Sequence, residues 1–285
     1  MRIVREKAEL RDALRPARRE GRRIGLVPTM GYLHRGHLSL LRAAREACDL
    51  VVMSLFVNPT QFRPGEDLET YPRDEARDAD LAAGAGADLV FAPTVEEVYP
   101  DDFATSVEVG GGLTDVLEGA PDQRGPRHFH GVATVVAKLL NTVGPDVVFF
   151  GQKDAQQAIV LKRMVSDLDF PVEIEVLPTV REPDGLAMSS RNAYLSPSER
   201  RRATALIGAL RAAEEIARAG ETRPEAALEA ARDELERAGI EPEYLEARDA
   251  ESLAPAKSLN GRPVLVAVAA RVGKARLIDN LVIGG

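Results

Sequence analysis

Two histidines, His34 and His37, flank Gly36 in the string Pro28-Thr-Met-Gly-Tyr-Leu-His34-Arg-Gly-His37, which follows an apolar run and opens a helical pattern. That spacing lets both imidazoles point at one anion, while Gly31 and Gly36 let the backbone turn and approach it closely. In an open α/β sheet, ligands sit beyond the carboxyl ends of the strands, where helix N-termini present free amides and a positive dipole end to phosphate. Position alone therefore predicts an anion site. The competing readings are a metal pair or two surface histidines. A zinc site would want a third ligand, and only His128 and His130 remain, with Cys48 the sole cysteine.

Three further strings carry chemistry. Gly151-Gln-Lys153-Asp154 follows another apolar run and opens another helix, so Lys153 offers a point charge to phosphate on the same sheet edge. Asp154 reads first as a helix cap and second as a holder of Mg2+ or of a ribose. Gly185-Leu-Ala-Met-Ser189-Ser190-Arg191 supplies two hydroxyls, several amides and a planar guanidinium fork. Asn58-Pro-Thr-Gln61 ends a strand, and Gln61 and Gln157 are neutral amides suited to the hydroxyls and carboxylate of a small polar acid. Each amide alone reads as an ordinary polar residue, but cations, hydroxyls and amides gather here at one edge, which a bland interaction protein does not explain.

The elements that position them follow from the apolar pattern. Ile24 to Pro28, Leu50 to Val57, Asp88 to Phe91, Val147 to Phe150 and Val172 to Val176 are short β-branched or aromatic runs bounded by Gly, Pro or Asp, and read as buried strands. Helical patterns at about 36–48, 73–84, 130–142 and 154–168 lie between them. Strand-helix alternation predicts a doubly wound, parallel-sheet, Rossmann-like α/β domain over 1–180. The character then changes. Ser196-Pro-Ser-Glu199 sets a capping box for a long helix to about Ala219, and a second helix runs from about Pro224 to Ala238. Tyr244 to Ala247, Pro263 to Arg271 and Ala275 to Val282 read as strands, with Val272 to Lys274 as a turn. They predict a smaller α+β domain over 181–285 that closes over the site.

Composition narrows the partners. At 285 residues with 29% charged and 45% hydrophobic residues, the chain has the balance of a globular protein that builds one large core and a satellite. A formal charge of -8 repels a nucleic-acid backbone, so no nucleic-acid partner is expected, whereas a small anion needs only local cations. One cysteine excludes an intramolecular disulfide and fits a reducing compartment. Met1 to Glu9 alternates charge with single apolar residues and reads as neither signal peptide nor membrane span, which makes the expected location cytoplasmic.

The His-x-Gly-His string and the serine-rich loop at 185–192 resemble the two signatures of the nucleotidyl-transferring superfamily shared with class I aminoacyl-tRNA synthetases, whose members attack the α-phosphorus of a nucleotide. Pro28 to Leu38, Asn58 to Phe62, Tyr71-Pro-Arg73, Phe129 to Val136, Gly151 to Gln157, Pro178 to Glu182, Gly185 to Pro197 and Ala275 to Asn280 resemble, in order and spacing, the pantothenate synthetase family. The resemblance implies ATP-dependent condensation of (R)-pantoate with β-alanine through a pantoyl adenylate, releasing AMP and pyrophosphate, on the way to coenzyme A. It implies that ATP is held by Met30, Gly31, His34, Gly36, His37, Gly151, Gln152, Lys153, Asp154, Val180, Met188, Ser189, Ser190 and Arg191, with Mg2+ arriving on the nucleotide. Gln61, Gln157 and Asn58 are the implied residues for pantoate and β-alanine. His34, His37, Lys153 and Arg191 become the catalytic set, supplying fixed positive partners, with His37 donating a proton or stabilising charge. A homodimer is also implied, with the Val51 to Val57 neighbourhood as a contributor to its interface. The nearest alternative is a nucleotidylyltransferase of the same superfamily, against which the glutamine pair and the second domain argue. One departure stands out: the family pattern Arg-Pro-Gly-His is replaced by Gly125-Pro126-Arg127-His128, so the arginine has no exact counterpart, and Arg124 or Arg127 could substitute by a local shift.

Overall fold

The computed structural model describes residues 1–284. Six strands, β1 (Arg2–Val4), β2 (Ile24–Thr29), β3 (Leu50–Leu55), β4 (Leu89–Phe91), β5 (Val147–Gly151) and β6 (Glu173–Leu177), form one sheet. Its order is β1-β4-β3-β2-β5-β6, and every pairing is parallel. Helices α1 (Lys7–Arg19), α2 (Arg35–Ala47), α3 (Glu75–Gly84), α4 (Val95–Val98), α5 (Pro126–Val143) and α6 (Ala155–Asp167) connect the strands. Side chains alternate across a strand, so each strand feeds two cores. Leu26, Leu50 and Val52 pack with Leu10 and Leu14 of α1 and with Val136 and Leu140 of α5. Val27, Val51 and Met53 pack on the opposite face with Leu41 and Ala44 of α2 and Ala82 of α3. This is the doubly wound arrangement expected from the sequence.

Several expectations are corrected. No element before Ile24 follows from apolar runs, yet β1 pairs with β4 and α1 covers the sheet. Its apolar stripe is only Leu10, Leu14 and Ala17, at helical spacing among charged residues. Val51, Val52 and Met53 are completely enclosed within this chain, so that stretch of β3 offers no surface to a second copy. Helix α5 begins at Pro126, four residues before the expected start, because proline suits the first helical turn and Gly125 takes the positive φ of 73° that precedes it.

The rest of the chain builds a smaller unit from α7 (Pro197–Ala203), α8 (Ala205–Arg218), α9 (Pro224–Arg237) and an antiparallel sheet of β7 (Pro242–Asp249), β8 (Val264–Val272) and β9 (Ala275–Ile283), in the order β7-β8-β9. The single long helix expected after Ser196 is two, because Thr204 turns its hydroxyl back to the Arg201 carbonyl at the break. One face of β8 packs on α8 and α9 through Val266 and Val268. The other face contributes Leu265 and Ala267 to the core of the first unit, so the small sheet lies directly against it.

Candidate active site

The strand order reverses around β2, which has β3 on one side and β5 on the other. Chain segments leaving β2 and β5 diverge there and open a crevice at the carboxyl ends of the strands. A cavity of about 760 Å³ occupies this crevice. His34 and His37 enter it from the segment after β2, Asn58 and Gln61 from the segment after β3, Lys153 from the segment after β5, and Val180 from the segment after β6. The loop Met188 to Arg191 closes one side, and Arg276 of β9 reaches in from the second unit.

The turn that delivers the histidines is held from below. Gly31 and Tyr32 both have positive φ, 87° and 49°, and the buried Asp78 of α3 accepts the backbone N–H groups of Tyr32 at 2.6 Å and Leu33 at 2.7 Å. A side chain at Gly31 would meet Leu55 at 2.8 Å, so glycine is required for packing as well as for φ. His34 then caps α2: its Nδ1 accepts the Gly36 N–H at 3.1 Å, while His37 Nδ1 accepts the His34 N–H at 3.3 Å. With each Nδ1 engaged as an acceptor, each neutral ring carries its proton on Nε2. The rings stack with centroids 4.1 Å apart. Burial, reinforced by the Lys153 cation, lowers His34 to about 4; burial and the neighbouring His34 lower His37 to about 3. Both rings thus present neutral N–H donors at the cavity.

Positive charge comes from Lys153 and Arg191. Lys153 Nζ lies 3.3 Å from Asp154 Oδ1. Burial favours the protonated form of Asp154, but Lys153 and then Arg191 outweigh it and hold the carboxyl below its usual range. Asp154 stands at the N-cap position of α6 without making a side-chain capping bond, so the cap reading fails and its carboxylate is turned to Lys153. Arg191 is paired bidentately with Asp67, Nε at 3.1 Å and Nη2 at 2.9 Å, which ties the serine-rich loop to the segment over the cavity. Among the described residues, no three His, Cys, Asp or Glu side chains gather as a metal site.

Twelve of the fourteen expected ATP residues line the cavity, as do Asn58, Gln61 and Gln157; Gly31 and Gln152 do not. Gly31 shapes the turn beneath, and the Gln152 amide is turned away to Asn280 of β9 at 3.2 Å. Asn280 in turn donates to the carbonyls of Gln152 and Lys153, at 3.0 and 2.9 Å, so the second unit seats the lysine loop. Asn58 is buried with its amide wholly engaged inside the protein, which makes it a support for Gln61 rather than a free binding group.

Of the two arginines near the altered loop, Arg124 is the one at the cavity. It lines the cavity, pairs with Glu66 at 3.3 and 3.0 Å, and contacts His128 Nε2 at 3.2 Å. His128, lowered to about 4 by burial and by Arg124, donates from Nδ1 to the Gln61 carbonyl at 2.7 Å. Arg127 is exposed and does not line the cavity.

Sequence reasoning missed the joint between the units. Glu118 accepts from Arg276 at 2.7 and 2.8 Å and from the Tyr244 hydroxyl at 3.0 Å, while Arg276 also pairs with Glu243 at 2.6 Å. Burial raises the Glu118 carboxyl, but Arg276 outweighs it and keeps the group ionised. Arg276 belongs to the string Ala275 to Asn280, so the signal was present, but nothing local to that strand indicates a partner far away in sequence.

Fold and site together are those of a doubly wound α/β enzyme whose paired histidines, lysine and glutamine amides line one crevice at the carboxyl ends of the strands. A profile of the family described as pantoate-beta-alanine ligase matches residues 2–282. The pantothenate synthetase of Moorella thermoacetica is 54% identical over 285 residues, covering 99% of each chain. The solved pantothenate synthetase of Thermus thermophilus superposes with a TM-score of 0.92 at 51% identity, covering 99% of each chain. The pantoate-beta-alanine ligase of Francisella tularensis, solved in complex with beta-gamma ATP and beta-alanine, superposes with a TM-score of 0.81 at 32% identity, covering 99% of this chain and 97% of that one. This chain belongs to the pantoate-beta-alanine ligase family.

Proposed function

We propose that this chain joins pantoate to β-alanine by way of a pantoyl adenylate, at the residues gathered in the crevice between β2 and β5. The observation that carries the reading is the convergence of His34, His37, Lys153, Gln61 and Gln157 on one cavity in a chain of this family. In the first step a pantoate carboxylate oxygen attacks the α-phosphorus of ATP and pyrophosphate leaves. In the second, the β-alanine amine attacks the adenylate carbonyl and AMP leaves, forming the amide.

The chain's contribution is positioning and preset electrostatics. The Nε2–H groups of His34 and His37, at the positive end of α2, donate to phosphoryl oxygens whose charge grows in the transition state. Lys153 supplies full charge, and Arg191, Ser189 and Ser190 hold the far phosphates. Gln61 and Gln157 take the polar end of pantoate, while Val132, Val135, Val136 and Leu139 of α5 line the same cavity and match its branched, methyl-bearing carbon. Mg2+ bound to the ATP phosphates would supply charge neutralisation for the leaving pyrophosphate, and Asp154 is the residue that would help hold it, since no cluster of three ligating side chains stands among the described residues.

We extend the same proposal to a homodimer in the cytoplasm, and to a division of the chain into domains 1–180 and 181–285 with the second acting as the wall that closes the site. No helix among the described residues is long and apolar enough to cross a membrane. Light scattering on the purified protein tests the dimer. The reaction is tested by mixing protein, ATP, Mg2+, pantoate and β-alanine and scoring AMP and pantothenate together. Equal yields dependent on both acids support the ligase, whereas AMP attached to a phosphorylated product would favour a nucleotidylyltransferase.

A further inference from the structure

A primary amide has a donor end and an acceptor end, and substrate selection depends on which end faces the cavity. At Gln61 the answer is fixed by backbone groups of unambiguous character. The Thr60 N–H only donates, and it points at Asn58 Oδ1 at 3.4 Å. The Gly131 carbonyl only accepts, and it meets Asn58 Nδ2 at 3.1 Å. Asn58 is therefore held one way round. Its remaining Nδ2 hydrogen is directed at the Gln61 amide 3.0 Å away, which must answer with Oε1. Gln61 Nε2 is left toward the cavity, where its protein neighbour is the Met30 sulfur at 3.2 Å, a weak acceptor.

The acceptor end of Asn58 gathers two hydroxyls as well. Thr60 Oγ1 and Tyr99 Oη each donate to Oδ1 at 2.9 Å. Tyr99 follows α4, is not part of the cavity wall, and is pinned by Phe56 and Phe103, with ring centroids 6.3 and 5.1 Å away. Lys138 Nζ of α5 lies 5.5 Å above its ring. We infer that Tyr99 is a positioning residue for substrate binding: by donating to Asn58 Oδ1 it reinforces the amide orientation that the backbone imposes, and so holds the Gln61 amide with its N–H groups toward the small acid. The inference rests on the reading that Gln61 holds pantoate, and it specifies the contact as a donor to a pantoate oxygen.

The test is a kinetic cycle of Tyr99→Phe, Gln61→Ala and the double variant, with Asn58→Asp as a second probe. Tyr99→Phe removes only the hydroxyl, and the loss of one hydrogen bond on Asn58 should raise the pantoate KM about threefold to tenfold. Both kcat and the ATP KM should stay within about twofold, and the effect should vanish when Gln61 is already alanine. Asn58→Asp puts a carboxylate oxygen where Nδ2 donated, forces the Gln61 amide to turn over, and should raise the pantoate KM further. A Tyr99→Phe effect that persists undiminished in Gln61→Ala, or one that raises the ATP KM equally, overturns the inference. So does an unchanged pantoate KM in Tyr99→Phe when Gln61→Ala raises it. If Gln61→Ala itself leaves the pantoate KM unchanged, the assignment of Gln61 to pantoate falls, and the role of Tyr99 with it.

Discussion

Acidification from about pH 7.5 to about pH 5 is expected to cost this fold several kcal/mol through three histidines alone. His34, His37 and His128 are held neutral, lowered from 6.5 to about 4, about 3 and about 4 respectively, chiefly by burial. Because the folded values lie below the unfolded one, the unfolded chain takes up protons first as the pH falls. Stability is therefore intact above about 6.5, declines between there and about 4, and levels off below the folded values. At about pH 5 each imbalance amounts to roughly 2 kcal/mol, giving an upper bound of about 6 kcal/mol for three independent groups. The stacked pair is coupled, so the observed loss should be smaller than that bound. It is still large against a total on the order of 5 to 15 kcal/mol. The carboxyls of Glu66 and Glu118, held below their usual range by Arg124 and Arg276 against the opposing effect of burial, give up their stabilisation only as the pH falls through 4.5 and below, beneath the range measured. Urea unfolding at pH values between about 7.5 and about 5, without nucleotide, measures the slope. A change under about 1 kcal/mol, or imidazole resonances titrating near about 6.5, would refute the neutral-histidine argument.

Other outcomes follow from the same geometry. His37→Ala and Lys153→Ala should fold normally but lose about 10² to 10³ in ATP–pyrophosphate exchange, and near-normal exchange in either removes its assigned role. Asp78→Ala orphans the N–H groups of Tyr32 and Leu33 and should cost about 2 to 6 kcal/mol in denaturant unfolding; a loss below about 1 kcal/mol contradicts the support role. Arg276→Ala leaves the buried Glu118 carboxylate with Tyr244 alone and should cost about 3 to 5 kcal/mol, most of it recovered when Glu118→Gln is added. Arg124→Ala should raise the pantoate requirement and Arg127→Ala should not; equal effects would show that the wrong arginine has been placed beside His128.

The central sheet was legible because β2, β3, β4 and β5 are continuous apolar runs, which only a strand covered on both faces requires. Most of the site was legible for a related reason: its residues follow those runs directly, so locating a strand end locates a ligand. Two kinds of information escaped. The charge state of the histidines depends on burial beside Lys153, which no spacing encodes. Pairings such as Glu118 with Arg276, Arg191 with Asp67 and Gln152 with Asn280 join segments that meet only after the chain has folded. For Gln152 and Asn58 the family resemblance implied contact with ligand, and internal hydrogen bonds engage their amides.

The hydrogen bonds from Asn280 to the carbonyls of Gln152 and Lys153 bear on how such a chain can be cut or recombined. A fragment ending near residue 180 would keep all six parallel strands and every histidine of the site. It would still lack the Asn280 amide that seats the lysine loop. A chimera that borrows its smaller unit from a relative must therefore import Asn280 in register with the host's Gln152 and Lys153. The seam between the two halves runs along the lysine loop of the candidate site, so the second half cannot be exchanged as though it were only a cover.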